Sequence, residues 1–219
     1  MYTLNPLPAQ IPENQLELLR QVETATVGHV LHNGFIDREI RAVLPEMRVA
    51  GTAVTVRIPG ADSTLLHYIL AKVRPGDFLV IDRCGDSKHA CWGGVVTNTA
   101  KLAGVVGAVI DGPATDISEI RRCQMPVWCR GPSSITTKLL NFGGAFNVPV
   151  TVGGQTICPG DAILADESGV IVLKPGEVET VAKRAIDMQE KELVLLARIR
   201  SGEKLPDISG ATGFVESAK

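Results

Sequence analysis

Hydrophobic positions along the first two thirds of the chain fall into short, contrasting patterns. Residues 51–58 alternate and are rich in Val and Thr, the signature of a strand. Asp62 or Ser63 then stands where a helix would start, and that helix is predicted to run to about residue 73. Gly76 turns the chain into a strand over 78–82. A polar loop, 83–92, precedes a helix over 93–102 and a strand over 106–110 that is apolar throughout, as expected of a strand covered on both faces. A short helix over 117–122 and a strand over 127–129 complete the series. Strands alternating with helices define an α/β class.

The two ends differ from this middle. Residues 11–31 read as helical, with Leu16, Leu19, Val22 and Val27 on an apolar face that Thr24 to Thr26 interrupt. Residues 150–173 are rich in glycine and strand formers, punctuated by turns at Cys158-Pro159-Gly160-Asp161 and Asp166-Glu167-Ser168-Gly169. A long amphipathic helix is predicted over 177–200, with Val178, Val181, Ala185, Leu193, Leu196 and Ile199 available for packing and Gly202 as its stop. Residues after Lys204 read as a tail. With no internal repeat, one domain over 1–219 is the expectation.

Composition narrows the function. A net charge of −2 without a Lys/Arg cluster, and only 4% aromatic residues, leaves neither an electrostatic footprint nor a stacking platform for nucleic acid. No apolar run approaches the ~20 residues that cross a bilayer, and the first ten residues carry no basic segment followed by an apolar one, so no membrane association and a cytoplasmic location are expected. The five cysteines include no Cys-x-x-Cys pair, which argues for reduced thiols rather than disulfides or zinc.

The chemistry is expected between Trp92 and Asp116. The predicted helix start at Gly93, Gly94, Val95 and Val96 offers backbone N–H groups to an anion such as a carboxylate, although a glycine pair also serves close packing. Asp116 is a hard oxygen donor suited to Mg²⁺ or Mn²⁺. It is also placed to cap the helix that follows, with Glu119 at capping-box spacing. Asp86 and His89 lie in the loop before Trp92, within reach of the same pocket or as part of a solvated loop; His29, His32 and His67 read as packing or surface residues. Asp161 and Asp166 read as turn residues, and Trp92 as an anchor for its loop.

These residues carry a family resemblance. Trp92-Gly93, Ala100, Gly104-Val105-Val106-Gly107, Asp111-Gly112, Asp116, Pro126-Val127-Trp128 and Arg130-Gly131 are followed by Pro159-Gly160-Asp161, Ala165-Asp166 and Gly169-Val170. The series resembles the regulator-of-ribonuclease-activity-A-like (RraA-like) family, which includes 4-hydroxy-4-methyl-2-oxoglutarate aldolases with oxaloacetate decarboxylase activity. The resemblance implies a compact three-layer β/β/α fold of the swivelling phosphohistidine-domain type. It also implies a lyase acting on a small 2-oxo acid with a divalent metal (Mg²⁺ or Mn²⁺) at Asp116, no organic cofactor, and a homotrimer or hexamer. The catalytic pair would be Asp116 and Thr115, with Gly93, Gly94, Val95 and Val96 binding substrate. Two positions depart from the family: Gly94 replaces an acidic residue and Thr115 an arginine. A hydroxyl cannot replace a guanidinium's fork, so Arg83, Lys88, Arg121, Arg130 or a neighbouring subunit would have to supply the charge. The alternatives are the same pocket with a changed substrate or reaction, and a non-catalytic regulator that binds protein.

Overall fold

The computed structural model describes residues 1–218. From the N-terminus come β1 (Tyr2–Leu4), α1 (Glu13–Leu19), α2 (Thr24–Gly28), β2 (Arg41–Ala42), β3 (Val49–Arg57), α3 (Thr64–Ile69), β4 (Asp77–Asp82) and α4 (Gly94–Leu102). Next are β5 (Gly107–Ile110), α5 (Ile117–Arg122), β6 (Val127–Cys129), β7 (Gly144–Phe146), β8 (Val150–Val152) and β9 (Gln155–Ile157). The chain closes with β10 (Ala162–Asp166), β11 (Gly169–Leu173), α6 (Val178–Arg200), α7 (Leu205–Ser209) and α8 (Ala211–Glu216).

Among the described residues, seven strands of a mixed sheet run β1-β7-β3-β4-β5-β6-β2, and the β10–β11 hairpin joins it at β3. Strands β3 to β6 are parallel and form its spine, so each connection crosses one face and carries a helix. One register row, Val54–Leu79–Ala108–Val127, faces the layer of α3, α4 and α5. Alternation sends Ala53, Phe78, Val80, Val109 and Trp128 to the opposite face. There they meet Val150, Val152 and Ile157 from the β8–β9 hairpin and Ile163, Ala165 and Val170 from β10 and β11. Gly107 is required in this layer: a Cβ there would lie 2.6 Å from the Phe78 ring.

Helix layer, sheet and second β layer are the three layers expected, and the chain adds a fourth. Leu164, Ile171 and Leu173 point away from the sheet and pack with Leu16, Leu19, Val27, Val178 and Val181 from α1, α2 and α6. The β10–β11 hairpin is therefore covered on both faces, which is why its strands are apolar nearly throughout. No helix of the described residues is long and apolar enough to cross a membrane.

Three sequence expectations change. The helix over 11–31 is two short helices, broken before Thr24, because the Asp166 carboxylate accepts both the Thr24 N–H (2.8 Å) and its hydroxyl (2.5 Å) and fixes a new helix start. The tail after Lys204 folds into α7 and α8. In α6, Val178, Val181, Ala182 and Ala185 are buried, but Leu193, Leu196 and Ile199 are exposed, since the body ends before the helix does.

Candidate active site

The loop leaving β4 and the segment leaving β5 are clipped together. Trp92 bridges Ala114 in parallel, and the Thr115 N–H donates to the Trp92 carbonyl at 2.8 Å. Trp92 is fully buried, its indole N–H donating to the Thr97 hydroxyl at 2.9 Å, so it anchors the start of α4 as expected. This clip sets Gly93 and Gly94 against Thr115 and Asp116. A Cβ on Gly93 would lie 2.8 Å from Asp116 Oδ2 and 2.9 Å from Thr115 Cγ2, so close approach, not turn geometry, demands glycine.

Asp116 adopts left-handed backbone angles, φ 50° and ψ 44°, which aspartate tolerates better than most residues. Its backbone carbonyl accepts the Glu119 and Ile120 N–H groups, but its side chain makes no cap to α5. The carboxylate instead crosses to α4, where Oδ2 accepts the Gly94 N–H at 2.8 Å. The capping-box expectation is thus corrected: Asp116 caps the preceding helix in space, not the following one in sequence. Its other oxygen, Oδ1, accepts no hydrogen bond from a described residue. With Gly94 engaged, the N–H groups of Val95 and Val96 remain at the open helix start.

Gly93, Gly94, Val95, Val96, Thr115 and Asp116 all line one open cleft of about 190 Å³. The facing wall comes from elsewhere in the chain: Ser63 before α3, His67 in its last turn, and Thr136, Thr137, Lys138 and Leu139. A larger cavity of about 330 Å³ lies at the β2 edge beside Arg41, Arg121 and Arg130. The smaller cleft is the candidate because it holds all six residues that the sequence singled out, together with the longer helix start of α4 and a lysine.

That cation is Lys138, which sequence reasoning did not single out. Its backbone is pinned, with its N–H donating to the Ala61 carbonyl at 2.8 Å and its carbonyl accepting the Ser63 N–H at 3.0 Å. Its side chain is exposed and has no ion-pair partner among the described residues. The four cations considered from sequence are placed otherwise. Arg83 is buried, its guanidinium hydrogen-bonded to the carbonyls of Ile58, Gly60 and His89 and 3.6 Å from Asp86. Arg130 pairs with Asp111 at 2.5 Å and Asp37 at 2.8 Å. Arg121 donates to the Val43 carbonyl at 3.4 Å and lines the other cavity, and Lys88 is absent from the cleft lining.

Asp62 organises the Lys138 wall. It is buried, with Oδ1 accepting the N–H (2.8 Å) and hydroxyl (2.6 Å) of Thr64 and the Leu140 N–H (3.0 Å), and Oδ2 accepting the Phe142 N–H (2.7 Å). Burial alone would push its carboxyl up; these donors outweigh it and bring the pKa down to about 2. Asp86 and His89 belong to the loop rather than the cleft. Asp86 accepts the Lys88 and His89 N–H groups and the His89 ring, which overcome burial and lower its pKa. Asp161 and Asp166 hold their own turns through the Cys158 N–H and the Ser168 N–H, both at 2.8 Å.

Glu119 fills the space beside Gly94. Its Cγ would lie 3.0 Å from a Cβ at that position. The Asn98 amide, then the Arg122 guanidinium and the Cys123 thiol, hold the Glu119 carboxyl down at about 2. An acid from α5 thus stands where the family pattern would place one on α4.

Among the described residues no three His, Cys, Asp or Glu side chains converge as a metal cage. The donor set fits a largely hydrated ion on the free oxygen of Asp116, a mode natural to Mg²⁺, which keeps several waters and needs only one or two carboxylates.

Fold and cleft together define an α/β protein in which a helix N-terminus and a carboxylate meet in one open cleft. The RraA-like family model, described as Aldolase/RraA, matches residues 24–172, and the chain belongs to that family. A Halalkalibacterium halodurans protein named "Putative 4-hydroxy-4-methyl-2-oxoglutarate aldolase" is 36% identical over 63% of this chain and 65% of its own length. An uncharacterized protein of Methanocaldococcus jannaschii is 34% identical over 77% of this chain and 82% of its own. The crystal structure of Streptomyces coelicolor RraAS2, described as an unusual member of the RNase ES inhibitor RraA family, superposes with a TM-score of 0.75 at 27% identity, covering 85% of this chain and 98% of that one. The family match ends before α6 begins.

Proposed function

We propose that this chain is a carbon–carbon lyase that cleaves or decarboxylates a small 2-oxo acid in the Asp116 cleft. The observation that carries the reading is the placement of Asp116 beside the free N–H groups of Val95 and Val96, across from the unpaired Lys138. The resemblance to a protein named as an aldolase supports the reaction class.

The Val95 and Val96 N–H groups receive the substrate's 1-carboxylate, adding fixed partial positive charge where Asp116 has taken only the first donor. When the C3–C4 bond breaks, C4 leaves as CO2 from oxaloacetate or, its hydroxyl giving a proton to water, as the carbonyl of a second pyruvate from 4-hydroxy-4-methyl-2-oxoglutarate. The electron pair of that bond moves through C3 into the 2-oxo group, and negative charge grows on that oxygen. Lys138 is the cation of this chain's own cleft wall that offsets it, in place of the arginine absent at Thr115. Protonation of the enolate at C3 then yields pyruvate. A magnesium or manganese ion held by Asp116 and water supplies Lewis-acid polarisation of the 2-oxo group when bound. No organic cofactor is needed, because the substrate's own carbonyl accepts the electron pair.

The test is pyruvate release from oxaloacetate and from 4-hydroxy-4-methyl-2-oxoglutarate, with Mg²⁺ or Mn²⁺ and with chelator, after subtraction of metal-only decarboxylation. Turnover that chelator removes, and that falls at least ~10²-fold in Asp116→Ala, is expected. Turnover indifferent to Asp116→Ala, or none above the metal-only rate, would sink the proposal and turn attention to the protein-binding role.

A further inference from the structure

Helix α6 has 23 residues and, at about 1.5 Å each, is roughly 34 Å long. Its first two turns, carrying Val178, Val181, Ala182 and Ala185, are buried against the body, and the last polar contact with it is Gln189, which accepts the Glu23 N–H and donates to the Gln21 carbonyl. Beyond them lies the uninterrupted apolar run Leu193-Val194-Leu195-Leu196-Ala197, which at 100° per residue covers the whole circumference of the helix. Leu195 is half-buried toward Thr26 and His29 of the α2 segment, but the other faces are open to solvent: Leu193 is 68% exposed, Val194 64%, and Leu196 and Ile199 36% each. A helix apolar all round is ordinarily a buried one.

The residues surrounding Leu196 on one face, three and four positions away, are Glu192, Leu193, Ile199 and Arg200. This face is self-complementary in one orientation. If a second copy of α6 lies antiparallel with the twofold axis at Leu196, Leu193 meets Ile199, Leu196 meets Leu196, and Glu192 meets Arg200, twice over. A parallel pair would set Glu192 on Glu192 and Arg200 on Arg200. Neighbouring charges are already matched within the chain, Lys191 with Asp187 at 2.6 Å and Arg198 with Glu203 at 2.7 Å. Glu192 and Arg200 have no ion-pair partner among the described residues.

We propose that the distal half of α6 is an isologous self-association face whose occupant is α6 of a second copy of this chain, packed antiparallel about Leu196. The same patch serves both subunits, as a twofold contact requires. None of its residues lines the cleft, and because a twofold contact joins two equal halves, its removal is expected to halve the mass.

Sedimentation equilibrium or light scattering of the full chain tests this. Leu196→Glu sets two carboxylates at the axis and is expected to halve the mass, with the thermal midpoint of the body unchanged because Leu196 lies beyond the packed turns. Glu192→Arg and Arg200→Glu, each alone, are expected to weaken association by at least ~10-fold. The double variant Glu192→Arg with Arg200→Glu restores it, because the crossed pairs re-form with reversed sign. An unchanged mass in Leu196→Glu overturns the proposal. So does a double variant no stronger than the single ones, which would mean another partner or another register.

Discussion

Replacing Asp62 by asparagine removes a buried negative charge from behind the Lys138 wall while keeping its shape. The side chain is 1% exposed and its two oxygens accept four hydrogen bonds, from Thr64 twice, Leu140 and Phe142. Its carboxyl lies at about 2 against an ordinary 3.8. At about 1.36 kcal/mol per pKa unit, ionised Asp62 contributes about 2.5 kcal/mol to folding near pH 7. The pKa is lowered on folding, so this stability is fully present above the unfolded value and is lost as pH falls through about 2. At pH 3, between the two values, about half of it remains. An asparagine also turns a donor toward N–H groups that need an acceptor, which adds to the loss. Urea unfolding of both proteins at pH 7 and pH 3 should give a deficit of about 2–4 kcal/mol at neutral pH that shrinks by about 1 kcal/mol at pH 3. A deficit equal at both pH values would show that the carboxylate's charge is not what holds the loop, and would refute the assignment. Turnover should fall with the same substitution through a raised KM, since the loop that carries Lys138 loses its fastening.

Lys138→Met should lower kcat/KM for oxaloacetate decarboxylation by about 10²-fold with no change in thermal midpoint, because the residue is exposed on the cleft wall and outside the core. Gly94→Asp should not raise activity, despite restoring the family's acid: its side chain would meet Glu119 Cγ at 3.0 Å and Asp116 Oδ2 at 3.4 Å, and a loss of about 1–3 kcal/mol in urea unfolding is expected. Pairing it with Glu119→Ala should recover part of that loss. Asp166→Asn should cost about 1–3 kcal/mol and expose α2 to limited proteolysis, since Asp166 holds both Thr24 and its own turn through Ser168.

Two substitutions near the site illustrate how the cleft differs from the family pattern. Glycine at 94 leaves room on α4, and Glu119 from α5 occupies it with its charge fixed by Asn98 and Arg122. Threonine at 115 removes a cation from one wall, and Lys138 lies on the other. Side chains from segments distant in sequence thus stand beside the two changed positions, so a site read position by position misses part of what surrounds it.

The sequence by itself determined the alternation of elements, because period-two and helical spacing of apolar residues are local properties. Strands over 78–82 and 127–129 and the helices over 117–122 and 177–200 stand within a residue of their expected bounds. The six residues singled out from the glycine and aspartate motifs line one cleft, since they flank two neighbouring strand ends. What lay beyond the sequence depended on contacts between distant segments. β1, β2 and β7 are three residues or fewer, too short to carry a period, and exist only because the sheet offers them an edge. The break before Thr24 is made by Asp166, 142 positions away. Asp116 looked like the cap of its own helix because capping is a local rule, yet folding brings a nearer unsatisfied N–H from Gly94. Lys138 was a solitary lysine in a polar run until Asp62 and Ala61 fastened its loop against the cleft. Patterns that repeat along a few turns are written in the chain, whereas partners that meet across tens of residues are chosen by the packing of the whole.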